Sequence, residues 1–152
     1  MGSRGDLLRR GRGVGERGQA LVETALVLPL LLILAFGVIG VGRVTQAQMG
    51  VSAVAREAAR AGALANDPGD ALSQAAARGQ AVANADNLTN GSLRLSVDVG
   101  QFNPGGAVQA TVRYTVSFND LPLLGWARVT VASTHVERID LYRSRWSTRG
   151  GP

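Results

Sequence analysis

Few side chains in this 152-residue chain are equipped for chemistry. It has no cysteine and a single histidine, so disulfide frameworks, thiolate metal sites and His-based metal clusters are excluded. That histidine, His135, reads as a half-exposed strand residue, because no second His or Cys exists to complete a site. The Gly-rich stretch near the N-terminus, GRGVG, lacks the following Lys-Ser/Thr of a phosphate-binding loop. No nucleophile stands with a base beside it, so no enzyme activity, cofactor or metal is expected. What remains is a lone carboxylate in an unusual place: Glu23 lies five residues after Gly18, at the start of a long apolar run. A charge at the edge of a membrane helix is costly unless it has a partner; the alternative is an interfacial acid welcomed by the helix dipole.

The element that positions Glu23 is the apolar run itself. Thr24 to Gly42 is nineteen residues without a charge, TALVLPLLLILAFGVIGVG. About 20 such residues cross the hydrocarbon core of a bilayer, and a transmembrane segment over about 20–42 is expected. Five Arg precede it within residues 1–18, and three are spread over the eighteen residues after it. The positive-inside bias therefore places the N-terminus in the cytoplasm and the C-terminal part across the membrane. A secretory signal peptide has a shorter apolar core and a small-x-small cleavage site; here Gly42-Arg43-Val44 follows. Pro29 removes one helical hydrogen bond and is tolerated in a membrane helix. Gly37 and Gly40 are spaced by three and do not make a GxxxG pair.

The net charge of +5 resolves into +3 over residues 1–18, +1 over 19–60 and +1 over 61–152. The excess sits in the N-terminal flank and not on a folded face, which argues against a nucleic-acid partner. A mean hydropathy of +0.08 with 45% apolar residues fits a chain partly in lipid.

Taken together, Arg17-Gly18-Gln19-Ala20-Leu21-Val22-Glu23 resembles the cleavage site of type IV prepilins. The wider stretch RGQALVETALVLPLLLILAFGVIGVGRV, with AREAARAGA at residues 55–63, resembles the TadE/TadG family, the pseudopilins or minor pilins of the tight-adherence (Flp, type IVb) pilus. In that family an aromatic residue often follows the Glu; here it is Thr24. The resemblance covers about residues 17–65 and implies roles. Gly18 and Gln19 would flank the bond cut by a prepilin peptidase, the missing side chain of Gly18 allowing close approach, and Gln19 would become the new N-terminus. Glu23 would face the ammonium of a neighbouring subunit in the filament. The implied partners are prepilin peptidase, other pilin or pseudopilin subunits, the inner-membrane pilus assembly platform and membrane lipid. The alternative is an unprocessed single-pass protein with an extracytoplasmic partner-binding domain.

Beyond Arg43 helical spacing continues through Val44, Gln48, Val51, Val54, Ala55, Ala58, Gly62 and Ala65, with Gln46, Arg56, Glu57 and Arg60 opposite. Asp67-Pro68-Gly69 ends it. A helix over 19–64 would be about 69 Å long. A second helix is expected over 70–86, with Leu72, Ala75, Ala76, Gly79, Val82 and Ala83 on one face and a turn at Asn90-Gly91. Residues 92–99 and 108–118 alternate and are joined through Asn103-Pro104-Gly105-Gly106, an antiparallel hairpin. A third strand over 128–137 changes phase near Ala132, which suggests a bulge. The expected fold is α+β and pilin-like: a leader over 1–18, a long helix over 19–65, an extracytoplasmic domain over 66–137 with a short helix and about three antiparallel strands, and a basic tail over 138–152. Trp126, Tyr142 and Trp146 are the candidate partner contacts. The loop Leu121–Trp126 either packs over the end of the sheet, the favoured reading, or meets lipid or a partner; the tail either frays or docks onto another subunit or anionic lipid.

Overall fold

The computed structural model describes residues 12–88 and 92–141, with side chains from Gly18 onward. The element order is α1 (Arg12–Leu64), α2 (Pro68–Ala85), β1 (Arg94–Asp98), β2 (Ala107–Ser117) and β3 (Arg128–Arg138). This is the expected α+β architecture. The helix α1 starts at Arg12, ahead of the expected Gln19, and runs unbroken through Pro29. At 1.5 Å per residue its 53 residues span about 80 Å.

The two helices lie on one face of a three-stranded antiparallel sheet of order β1-β2-β3. The buried side of α1 begins at Gly40 and is dense from Ala47 to Ala63, where Val51, Val54, Ala55, Ala58 and Ala59 have no exposure at all. Arg56 and Arg60 stay exposed, as their spacing requires. The core narrows along α1. Near Val51 and Val54 it holds Tyr114, Val116, Phe118 and Val131. Further along it is made of Ala58, Ala59, Ala75 and Ala110, and it closes with Ala63, Val108 and Ile139. Ile139 therefore makes the start of the expected tail part of the core.

The register of α2 follows its small residues. Its buried stripe is Ala71, Ala75, Gly79 and Ala83, four apart. Leu72 is 44% exposed and Ala76 is exposed, so the face is narrower than the sequence spacing suggests, while Val82 is half-buried. A Cβ on Gly79 would come within 2.7 Å of Leu95 Cδ2 and 3.4 Å of the Ala58 Cβ, so glycine is what lets α2 seat against both β1 and α1. Asp67 caps the helix by accepting from the Asp70 N–H at 2.8 Å, with Pro68 in the first turn. The other end closes as a Schellman motif: Asn87 has φ 57, its N–H donates to the Asn84 carbonyl, and the Leu88 N–H donates to the Ala83 carbonyl at 2.8 Å. Leu88 is then buried in the core. Asn90 and Gly91, the expected turn, lie outside the described residues.

The hairpin has the expected partners, from Arg94 opposite Arg113 to Asp98 opposite Gln109. Beside it β3 pairs with β2 without interruption from Ser117 opposite Arg128 to Ala107 opposite Arg138. The suspected bulge at Ala132 does not exist. The inward face of β3 simply changes chemistry, from Val131 to half-buried Ser133, His135 and Glu137, while Val136 points outward. On the outer face Thr111 pairs with Thr134 at 3.0 Å and Thr115 with Thr130 at 3.1 Å, hydroxyl to hydroxyl across the strands.

Gly79→Val should destabilise the domain by about 1–3 kcal/mol through overpacking against Leu95 and Ala58. Thermal unfolding of the purified chain followed by near-ultraviolet circular dichroism checks this; an unchanged Tm contradicts the close seating of α2.

Candidate functional site

Two regions of α1 carry the residues with functional promise, and they are separated by the apolar run. The first is the start of that run. Gly18, Gln19 and Glu23 are all helical and exposed. Gln19 and Glu23 are four residues apart, so they share a face of α1, whereas Gly18 lies well round the helix from Glu23. The carboxylate stands in a shallow hollow with Ala20, Thr24, Val27, Leu28 and Leu31. The Thr24 hydroxyl is occupied, donating to the Ala20 carbonyl at 2.9 Å. Among the described residues nothing forms a hydrogen bond or an ion pair with Glu23. A Cβ at Gly18 would meet nothing within 4 Å. The fold therefore places no steric demand on glycine there, although glycine inside a helix costs about 1 kcal/mol relative to alanine.

From Leu21 to Val41 the large apolar side chains of α1 are exposed, save Phe36, which packs against the core. Of the most apolar eighteen-residue window only 6% is buried, so this stretch of α1 is not packed as a core helix among the described residues. The helix is long and apolar enough to cross a membrane.

The second region is where the domain meets the end of this band. The loop between β2 and β3 folds back over α1: Phe118 and Leu124 come within 3.7 and 3.9 Å of the Cβ position of Gly40. Arg43, the first charge after the apolar run, forks onto Asp120, its Nη1 donating to Oδ1 at 2.7 Å and its Nη2 to Oδ2. Hydrogen bonding to the Arg43 guanidinium, with a smaller contribution from a backbone N–H, holds the Asp120 carboxyl below the usual carboxylate range. Such a bidentate fork fixes geometry as well as charge. The favoured expectation for the loop holds for Leu121 and Leu124, which join the core, and fails for Leu123 and Trp126, which are 64% and 83% exposed.

Residues 18–60 match the family model of TadE-like protein. The TadE-like stretch begins at Gly18 and runs past the apolar band into the packed half of α1; α2 and the sheet lie outside it. It is the family that the sequence resembles. No curated protein and no solved structure matches the chain.

His135 sits on the inward face of β3, half-exposed as expected, with Nε2 3.5 Å from the Glu137 carboxylate. Among the described residues no group of three or more His, Cys, Asp or Glu side chains comes together. Tyr142 and Trp146 lie outside the described residues, and so does the leader before Arg12. The Arg43–Asp120 fork spans 77 positions of sequence. Its only trace in the sequence is that each charge borders an apolar run, Gly37–Gly42 for one and Leu121–Ala127 for the other.

Asp120→Asn should free the loop from α1, seen as faster amide exchange over residues 118–127 with the β2–β3 pairing unchanged. Because the folded state lowers the carboxyl pKa, the wild-type clamp is complete at neutral pH and is lost only as pH falls through that lowered value. Loop protection that persists in the Asn variant contradicts the role of the fork.

Proposed function

We propose that this chain is a TadE-like pseudopilin or minor pilin of a tight-adherence (Flp, type IVb) pilus, and not an enzyme. In this reading it is held in the cytoplasmic membrane by α1 with its N-terminus in the cytoplasm. A prepilin peptidase cuts between Gly18 and Gln19. The mature chain then joins other pilin or pseudopilin subunits through the inner-membrane assembly platform.

The observation that carries the reading is the state of Glu23. It is a carboxylate at the head of an apolar helical band, without a partner in its own chain among the described residues, one turn after Gln19. An uncompensated charge at the edge of a membrane is expensive, and in this reading its partner comes from a neighbouring subunit. The new ammonium at Gln19 of an adjacent subunit supplies it and fixes the stagger between the two helices. Gly18 supports the same reading, since the described packing gives no reason for a glycine there, whereas a peptidase closing on the backbone does. The exposed half of α1 is the surface that would exchange lipid for neighbouring helices during assembly.

The test is the N-terminus of the protein purified from its own membranes, measured by intact mass. A chain starting at Gln19 is expected. Gly18→Leu should retain the leader while leaving the Tm of the extramembrane domain unchanged, because a side chain at 18 meets nothing. Glu23→Ala should leave that Tm unchanged and abolish recovery of the protein in sheared filaments. A chain that keeps its leader in cells with an active prepilin peptidase overturns the proposal and leaves an anchored domain with an extracytoplasmic binding role.

A further inference from the structure

The strand β2 runs antiparallel to α1. Val108 at its start packs at the level of Gly62, and Phe118 just past its end packs at Gly40. Twenty-two helical residues rise about 33 Å and ten strand residues about 34 Å, so helix and strand keep step along their length. The chain leaving β2 therefore continues toward the apolar band of α1, and Leu124 packs into the cluster that also holds Phe36. Phe36 lies six residues inside Gly42, about 9 Å back along the uncharged run.

The tip of the loop suits that depth. Leu121 to Ala127 is seven residues without a charge, LPLLGWA. Two of its large side chains fill the core; Leu123 and Trp126 are turned away from it. The Trp126 indole N–H donates to the Leu123 carbonyl at 3.0 Å, so its polar group is already satisfied and does not have to be desolvated unpaired. Leu123 holds φ 68, a left-handed conformation that a leucine adopts at a cost, and it presents an apolar side chain outward. Behind the tip, Arg43 and Asp120 form a charged fork at the end of the uncharged run, where a bilayer turns from hydrocarbon to headgroups.

We propose that Leu123 and Trp126 insert into the leaflet from which α1 emerges, making the β2–β3 loop a second membrane contact of the domain. Tryptophan is favoured at that boundary, with an apolar body and a polar edge. The contact fixes the rotation and tilt of α1 and its domain, as one body, in the bilayer, which a single helix crossing a bilayer does not do. The inference rests on the reading that α1 spans the membrane, and on continuity between its exposed band and the exposed loop.

The test uses the full chain in phosphatidylcholine–phosphatidylglycerol vesicles, with lipids brominated near the head or near the end of the acyl chain as quenchers. In the Trp146→Phe chain Trp126 is the only tryptophan. Its emission should be blue-shifted and fall roughly twofold with bromine near the headgroup, and less with deep bromine. A companion chain, Leu31→Trp with Trp126→Phe and Trp146→Phe, reports the helix itself and should be quenched most by deep bromine. If the companion is quenched and Trp126 is not, the loop proposal is overturned while the membrane span stands. A blue-shifted but unquenched Trp126 overturns it in favour of a protein partner, such as a second copy. If neither is quenched, the span and the loop contact fall together.

Discussion

One continuous helix has to satisfy two environments, and everything else in the molecule is arranged around the point where it passes from one to the other. From Leu21 to Val41 the large apolar side chains of α1, Phe36 apart, are exposed among the described residues. From Ala47 onward the same helix is the central element of a closed core. Burying the apolar half would gain about 25 cal/mol per Å² of surface removed from water, and the described residues do not provide that burial. The crossover is held by contacts from the far end of the sheet: Phe118 and Leu124 over Gly40, and Asp120 on Arg43.

Small residues make the packed half work. The middle of the core is four alanines from α1, α2 and β2, and Gly79 brings α2 close enough to touch both β1 and α1. Close approach replaces bulk: the backbones come near one another, and the dispersion contacts of many small groups stand in for a few large ones. No polar or charged side chain among the described residues is buried, so the domain's stability rests on shape rather than on internal polar networks. Among the described residues Glu23 is likewise exposed and forms no ion pair or hydrogen bond.

Much of this was legible in the sequence because the signals were periodic. Nineteen uncharged residues, a 3.6-residue stripe after Arg43 and the alternation of β1 and β2 each have one structural solution. The departures have physical causes. Residues 133, 135 and 137 are polar yet face inward at the edge strand, where half-burial tolerates them, so an apparent change of phase was chemistry and not a bulge. In α2 the most apolar residue, Leu72, lost its place to alanine and glycine, because the gap between α2 and its neighbours has no room for a leucine. The Schellman stop at Asn87 was hidden by its residue type, asparagine in place of glycine. Among the residues proposed to act in processing and assembly, Gly18 and Glu23 stood out through their spacing ahead of an apolar run. The Arg43–Asp120 fork did not, since it depends on strand and helix keeping step over about 33 Å, and the exposure of Trp126 was legible only as the less favoured of two readings of its loop.

The division of α1 is best tested by cysteine scanning, to which a chain without native cysteine lends itself. Leu26→Cys, Leu31→Cys, Arg56→Cys and Arg60→Cys chains, reconstituted in vesicles, would be treated with a membrane-impermeant maleimide. Arg56→Cys and Arg60→Cys should react at once from the side that carries the domain, and Leu26→Cys and Leu31→Cys only after detergent opens the bilayer. Equal labelling of Leu31→Cys and Arg56→Cys in intact vesicles would mean that the exposed half of α1 lies in water, and the account built on it would be wrong.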